Sequence, residues 1–442
     1  MRFQTILLAV FGLVAVAAVI VFSAMPPKQP SALAGATGNA VIWGTFPKSS
    51  TGLMKMVNDF NSKYKDSFSI SYEFHDPKDF DRDIVEALAS GRGPDVLLLP
   101  DDLILRHTDK IEMIPYQSIP PASFSALFVQ ASEIYMRENG LIALPFAIDP
   151  MVMYWNRDLF NNASITEPPK YWDELISLTP RLTKRDPKSN DLTQSAVSFG
   201  EYANVEHAKD IIAMLFLQQG NKIVEYGNGR LSAKLSGSGL DGEKFAVDEN
   251  IVSAFRFFMD FSNPIKSIYT WSRAKSTSQN EFINGNLAIY LDHASAYKVI
   301  SEKNPHLNFA VTQMPMPRGT RVDVTFAKVH GLAVMKNSTN KQTALIAVQR
   351  MLLDPEPARD FALAFDLPPV RRDLLAQKPL DAVMSNFYDA AIRSRTWLDP
   401  KPELSDAAFQ RMVESVSSGR IGITGAIGEL NAQLTSALAV YN

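Results

Sequence analysis

The sequence predicts an α/β chain of two domains, with mostly parallel sheets flanked by helices and one N-terminal transmembrane helix ahead of them. Three observations carry this. Between residues 41 and 99 apolar strands alternate with amphipathic helices, the order that builds a parallel sheet with right-handed crossovers. About 400 residues follow an aperiodic stretch at 26–39, too many for one compact core. Residues 6–22 are all apolar or small, and Ser23, Ala24 and Met25 extend the run toward the roughly 20 residues that span a bilayer.

The first strand, 41–46, ends at Gly44-Thr45-Phe46-Pro47, and Ser50-Thr51 offers a helix N-cap. Leu53, Val57, Phe60 and Tyr64 then recur at steps of four, three and four, one helical stripe. Phe68, Ile70, Tyr72 and Phe74 alternate with polar residues as a half-buried strand does. Helix returns at 79–90, with Phe80, Ile84, Val85 and Leu88 on one face, and the Gly91-Arg92-Gly93-Pro94 turn stops it before a short apolar strand at 95–99. Ligands of such sheets sit beyond the carboxyl ends of the strands. That rule nominates Trp43, Thr45 and Phe46 after the first strand, and Pro100, Asp101 and Asp102 after the third. The plain alternative is that Phe46 packs and the two acids cap a helix starting at Leu103.

Arg2 precedes the apolar run and no charge follows until Lys28, which places the amino terminus in the cytoplasm and the rest outside. Residues 1–25 are read as an uncleaved anchor. A cleaved signal is the alternative, although a cut after Ala24 puts Phe22 where a small residue is wanted. Residues 26–39, rich in Pro, Ala, Ser, Gly and Gln, read as a flexible tether. With no cysteine among 442 residues there is no disulfide framework, thiolate metal site, cysteine nucleophile or lipid-modified cysteine. A formal charge of −3 argues against a nucleic-acid partner, which needs a basic surface.

Residues 141–160, LIALPFAIDPMVMYWNRDLF, resemble the segment by which family 1 extracellular solute-binding proteins, the maltose-binding-like sugar binders of ABC transporters, cross between two lobes. Further segments are similar in the family's order. They are the Pro-Asp-Val strand at 94–96, the Trp172-Asp173-Glu174-Leu175 helix start, the Gly200-Glu201-Tyr202 loop, Phe282, Gly285 and Ala288 before a strand, the Val329-His330-Gly331 return and Leu367-Pro368-Pro369-Val370-Arg371. The likeness covers most of 40–375. It departs where the family carries Gly-x-Trp, replaced here by His293-Ala294-Ser295; Trp271 is the candidate substitute for the missing stacking ring. The resemblance implies a two-lobe periplasmic-binding-protein fold, type II-like, with a hinge. Residues 40–150 and 316–368 would form the N-terminal lobe, and 151–315 and 369–442 the C-terminal one. Crossovers are expected near 149–153, 315–320 and 367–371, and a helical tail at 406–440 broken at 419–428.

No phosphate loop ending in Lys-Ser/Thr occurs, and no Gly-x-Ser-x-Gly elbow. The six histidines, at 75, 107, 207, 293, 306 and 330, show no metal-binding spacing, so neither a metal nor a cofactor is expected. The enzymatic alternative is a glycoside hydrolase acting through two carboxylates, which 47 acidic residues do not exclude. A membrane-tethered sensor would need a cytoplasmic domain, for which about five residues before the helix are too few.

The resemblance therefore implies the extracytoplasmic binding component of an ABC importer, not an enzyme. It would be a monomer at the outer face of the membrane, in membrane contact through residues 6–25, serving permease subunits and capturing a small polar solute, most simply a sugar. Trp43, Asp102, Asp149, Tyr154, Glu201, Tyr202, Trp271, Asp292 and His293 are the expected ligand contacts. Trp43, Tyr202 and Trp271 would stack and the acids would accept from hydroxyls. Trp43 also fits a core position, Trp271 an exposed loop anchor, and only one of Tyr154 and Trp155 can face the cleft.

Overall fold

A computed structural model describes residues 37–46, 51–227, 229–237, 246–319 and 322–442. The expected anchor and most of the tether fall outside them. Among the described residues no helix is long and apolar enough to cross a membrane.

The opening alternation forms as its periodicity predicts. Strand β1 (Gly38–Gly44) pairs in parallel with β2 (Phe68–Phe74) and β3 (Val96–Pro100). Helix α1 (Thr51–Lys63) covers them with Leu53, Val57 and Phe60, and α2 (Phe80–Ala89) with Phe80 and Ile84. Val85, expected on that face, is exposed instead. At the end of β1, Gly44 lets the Tyr72 ring close in. A Cβ there would meet the Tyr72 hydroxyl at 2.8 Å, and that hydroxyl both donates to the Phe46 carbonyl and accepts from its N–H, each at 2.9 Å. Phe46 is thereby fixed against Phe146 and Phe365, so it packs rather than reaching a ligand.

The centre of the sheet is held by two long strands. β4 (Leu144–Asn156) is buried along nearly its whole length, as its continuous apolar run requires. Its first half pairs antiparallel with β8 (Thr325–Val334). Its second half pairs antiparallel with β6 (Leu287–His293) and β7 (Phe309–Thr312). β8 lies against β3 on its other side, and β6 against β5 (Leu192–Val197). The sheets are therefore mixed rather than mostly parallel. The parallel pairs lie toward the outside, because strands shared by both halves enter each half against the direction of their neighbours.

Two hydrophobic cores flank this seam. One contains Ile148, Ala327 and Val329; the other contains Met151, Met153 and Phe326. The chain passes between them at Asp149–Pro150 and again at Phe326–Ala327. The return comes later than the expected 315–320, because the backbone of Met316 pairs with Lys170 and Trp172 and stays with the second half. Likewise Leu367 and Val370 pack in the first core, with the Pro368 carbonyl accepting from Ile148 N–H. Helix α7 (Ala382–Ile392) straddles both, giving Tyr388 and Ala391 to one core and Phe387 and Ala390 to the other. Helices α8 (Pro402–Ser417) and α9 (Ile423–Leu438) close the second half. The break between them is shorter than 419–428, with Gly425 and Gly428 inside α9. Trp172 wedges into the second core as expected, its indole N–H donating to Gln218 Oε1 at 2.6 Å.

Candidate functional site

A cavity of about 500 Å³ opens at the seam between the two cores. From the first-core side come Asp101 and Asp102, just beyond β3, and Lys328 on β8. From the second come Tyr202, then His207, Lys209 and Asp210 at the start of helix α3 (Ala208–Gln218), and Trp397, Asp399 and Asp406 near α8. Asp101 and Asp102 stand at a strand's carboxyl end, where the parallel-sheet rule places ligand contacts.

Carboxylates dominate the lining, and they divide by partner. Lys209 Nζ lies 2.9 Å from Asp399 Oδ2; burial works against its charge, but Asp399 and Asp210 outweigh it and raise its pKa. Tyr202 donates to Asp406 Oδ1 at 2.5 Å. Asp101 Oδ2 accepts from Thr396 Oγ1 at 2.6 Å, a contact across the groove. Burial, then the neighbouring Asp102 charge, pushes the Asp101 carboxyl up to about 7. Asp102 is raised too, chiefly by burial, against the opposing pull of Lys328 and Lys209. The two lysines that act on the pair are engaged with other carboxylates, Lys209 with Asp399 and Lys328 with Asp210.

Beneath the groove lies a second polar cluster. His293 closes β6, its Nδ1 donating to the backbone carbonyl of Asp149 at 2.9 Å and its Nε2 lying 3.1 Å from Asp210 Oδ2. His207, the N-cap of α3, has left-handed backbone (φ 55°). Its Nδ1 is 3.5 Å from Asp210 Oδ2 and its Nε2 3.2 Å from Asp292 Oδ1. Lys328 Nζ is 3.6 Å from the same Asp210 oxygen. Burial alone would raise the Asp210 carboxyl; Lys328 and the two imidazoles reverse it and hold it well below the ordinary range. For His293, burial pulls the pKa down, but the Asp210 bond and the Asp149 charge carry it up.

Of the nine expected contacts, Asp102 and Tyr202 line the cavity, while Asp149, Asp292 and His293 lie buried in the cluster under it. Four stand elsewhere. Trp271 is fully buried, its indole N–H donating to Asn204 Oδ1, so it is neither a stacking ring nor an exposed anchor. Tyr154 is fully buried and donates to the carbonyls of His293 and Ala294, because alternation on β4 turns it to the core and Trp155 outward. Glu201 pairs with Arg273 at 3.2 Å away from the cavity lining. Trp43 sits against His75, ring centroids 4.0 Å apart, also off that lining. Lys209, Asp210, Lys328, Asp399 and Asp406 line the cavity without having been expected from the sequence. One signal was there: Lys209-Asp210 interrupts an otherwise apolar, buried helix, where charged residues are seldom found unpaired.

A family model described as bacterial extracellular solute-binding protein matches residues 55–385, most of the chain. The chain belongs to this family. Among curated relatives, this solute-binding protein is 24% identical over 203 residues to a Brucella abortus (strain 2308) protein named as a binding protein. That match covers 46% of this chain and 44% of the relative, so the chain spans less than half the length of the curated relative it matches. Its fold is similar to that of the cyclic alpha-maltosyl-1,6-maltose binding protein from Arthrobacter globiformis (TM-score 0.73, 13% identity, 90% of this chain and 98% of that one). It is also similar to an ABC transporter solute-binding protein from Thermotoga lettingae TMO bound with alpha-D-tagatose (TM-score 0.66, 17% identity, 91% and 100%). At such identities these two likenesses speak of fold alone.

Proposed function

We propose that this protein is the extracytoplasmic solute-capturing component of an ABC-type importer, taking a small, hydroxyl-rich solute, a carbohydrate in the first instance, into the groove between its lobes. The observation that carries this is the cavity itself. It is lined from both cores, and the cores are joined by few passages, so a solute that touches both walls favours the closed arrangement by its differential contacts. A volume of about 500 Å³ lies within the range of small-molecule sites. The family membership and the sugars named for the Arthrobacter and Thermotoga proteins support the choice of solute.

In this reading Asp101, Asp102 and Asp406 accept from solute hydroxyls, Lys209 and Lys328 donate, and Tyr202 offers a ring face. Tyr202, Phe326 and Trp397 are the aromatic lining, all largely buried, so polar contacts exceed stacking. That favours one or two sugar rings over a long maltodextrin. Capture needs no covalent step, and the family supports binding over the hydrolase alternative. Attachment through residues 1–25, a monomeric state and permease subunits as partners belong to the same proposal.

A thermal-shift screen of sugars, polyols and peptides tests it. A solute at a hundred times its Kd should add about 2.7 kcal/mol of stability, and should be recovered chemically unchanged. A panel with sugars that never shifts melting, or a sugar returned shortened, would count against the proposal.

A further inference from the structure

We propose that His207, Asp210 and His293 form a binding site for one divalent transition-metal ion of the zinc class, in the groove floor, with its fourth coordination position open to the cavity. One donor atom from each of the three lies within 4.8 Å of the others. The Asp210 Oδ2 separations, 3.1 Å to His293 Nε2 and 3.5 Å to His207 Nδ1, bracket the roughly 3.3 Å edge of a tetrahedron with metal bonds near 2.0–2.1 Å. His207, with 35% of its side chain exposed, is the least buried of the three and would close the remaining side by a small rotation.

The donors and acceptors in these same contacts also point to a cation. Four ring nitrogens face three acceptor oxygens: the Asp149 carbonyl, Asp210 Oδ2, which meets one nitrogen of each ring, and Asp292 Oδ1. Two neutral imidazoles carry only two N–H groups between them. With those N–H groups on the Asp149 carbonyl and Asp292, neutral rings turn the lone pairs of His293 Nε2 and His207 Nδ1 toward Asp210 Oδ2, a set that a divalent ion held between the three would satisfy. The outer contacts suit that assignment. His293 keeps its Nδ1–H on the Asp149 carbonyl and His207 keeps its Nε2–H on Asp292, the arrangement that fixes tautomer and ring orientation in metal-ligating histidines. Asp292 is itself held by the Tyr290 hydroxyl and the His293 N–H.

Lys328 is the built-in competitor, 3.6 Å from Asp210 Oδ2. An arriving ion displaces its ammonium toward Asp101 and Asp102, which line the same cavity. The open position, facing Lys328 and the cavity, would accept an oxygen of the solute. Three protein ligands and one open position are what ligand-exchanging zinc sites keep.

The test uses the full chain and metal alone. Titration with Zn²⁺, followed by calorimetry, and with Co²⁺, followed by visible absorption, should give one ion per chain and intense tetrahedral cobalt bands. His293→Gln and Asp210→Asn should abolish both. Asp292→Asn, which removes only an orienting contact, should weaken binding about 10–100-fold. Lys328→Met should tighten it, and His306→Gln, an exposed histidine elsewhere, should leave it unchanged. Circular dichroism checks that each variant folds; should His293→Gln not fold, the Asp292→Asn and Lys328→Met arms decide. Absence of stoichiometric binding by the wild type, binding that survives folded Asp210→Asn and His293→Gln, or no tightening in Lys328→Met would overturn the proposal. Zinc binding does not rest on the solute reading: Asp102→Asn should lose solute affinity and keep zinc, so the two readings fail separately.

Discussion

The rim and the floor of the groove are built from the same residue type and behave in opposite ways. At the rim, Asp101 and Asp102 adjoin each other, Asp101 accepts from a threonine hydroxyl, and both have raised pKa values against the pull of Lys328. On the floor, Asp210 is buried as deeply as Asp101, yet Lys328 and two imidazoles hold it ionised. Burial is common to both, so the difference lies in the partners. A carboxylate met directly by cationic groups is held ionised; carboxylates whose lysines are engaged elsewhere are where a polar guest is needed.

The largest expected effects separate frame from site. Asp210→Ala strips the counter-charge from Lys328 and His293 and should cost about 3–5 kcal/mol in urea unfolding, as breaking buried ion pairs does. Trp271→Ala should cost a similar 3–5 kcal/mol by opening a core cavity, leaving solute affinity per folded molecule intact. A loss of affinity with unchanged stability would return Trp271 to the site. Next comes the rim. Asp102→Asn should weaken solute binding by about 1.5–3 kcal/mol, the size of a charge-assisted hydrogen bond, with stability unchanged or improved. Equal affinities of wild type and variant in calorimetry would remove Asp102 from the contacts.

Asp101 gives the comparison a pH axis. Its folded pKa, about 7, lies above the unfolded value near 3.8, so the folded state holds more protons between the two. Stability drawn from that carboxyl is full below the unfolded value and is lost as pH rises through 7. Asp101→Asn cannot ionise, so its melting temperature relative to wild type should climb from pH 5 to pH 8. A difference that stays flat would mean Asp102, Lys328, Thr396 and Asp210 around it leave Asp101 unperturbed. The smallest effect belongs to Tyr154→Phe, which removes a hydroxyl from two carbonyls and should cost about 0.5–1.5 kcal/mol without changing solute affinity.

These contrasts also mark what the sequence could reveal. The β1–α1–β2–α2–β3 alternation was legible because periods of two and near four each expose one apolar face. The buried crossing strand was legible because no polar residue interrupts residues 141–148. Asp102 followed from strand polarity. Tyr154 and Trp271 misled because an aromatic ring with a polar tip looks alike whether that tip meets a solute or a backbone carbonyl. The floor cluster was hidden for another reason. His207 and Asp210 are three residues apart, but His293 and Lys328 join them only through the pairing of β6, β4 and β8, which no local spacing encodes. The mixed strand directions were hidden for the same reason.

Capture rests on two lobes closing over a solute, and because the chain has no cysteine, two introduced thiols can report that motion without background. Spin labels at Lys55→Cys on α1 and Glu249→Cys on the helix Glu249–Asp260 lie on opposite lobes. Their distance distribution should shift to shorter values when a sugar that raises the melting temperature is added at saturation. A sugar that binds while the two labels keep the same separation would contradict capture by closure.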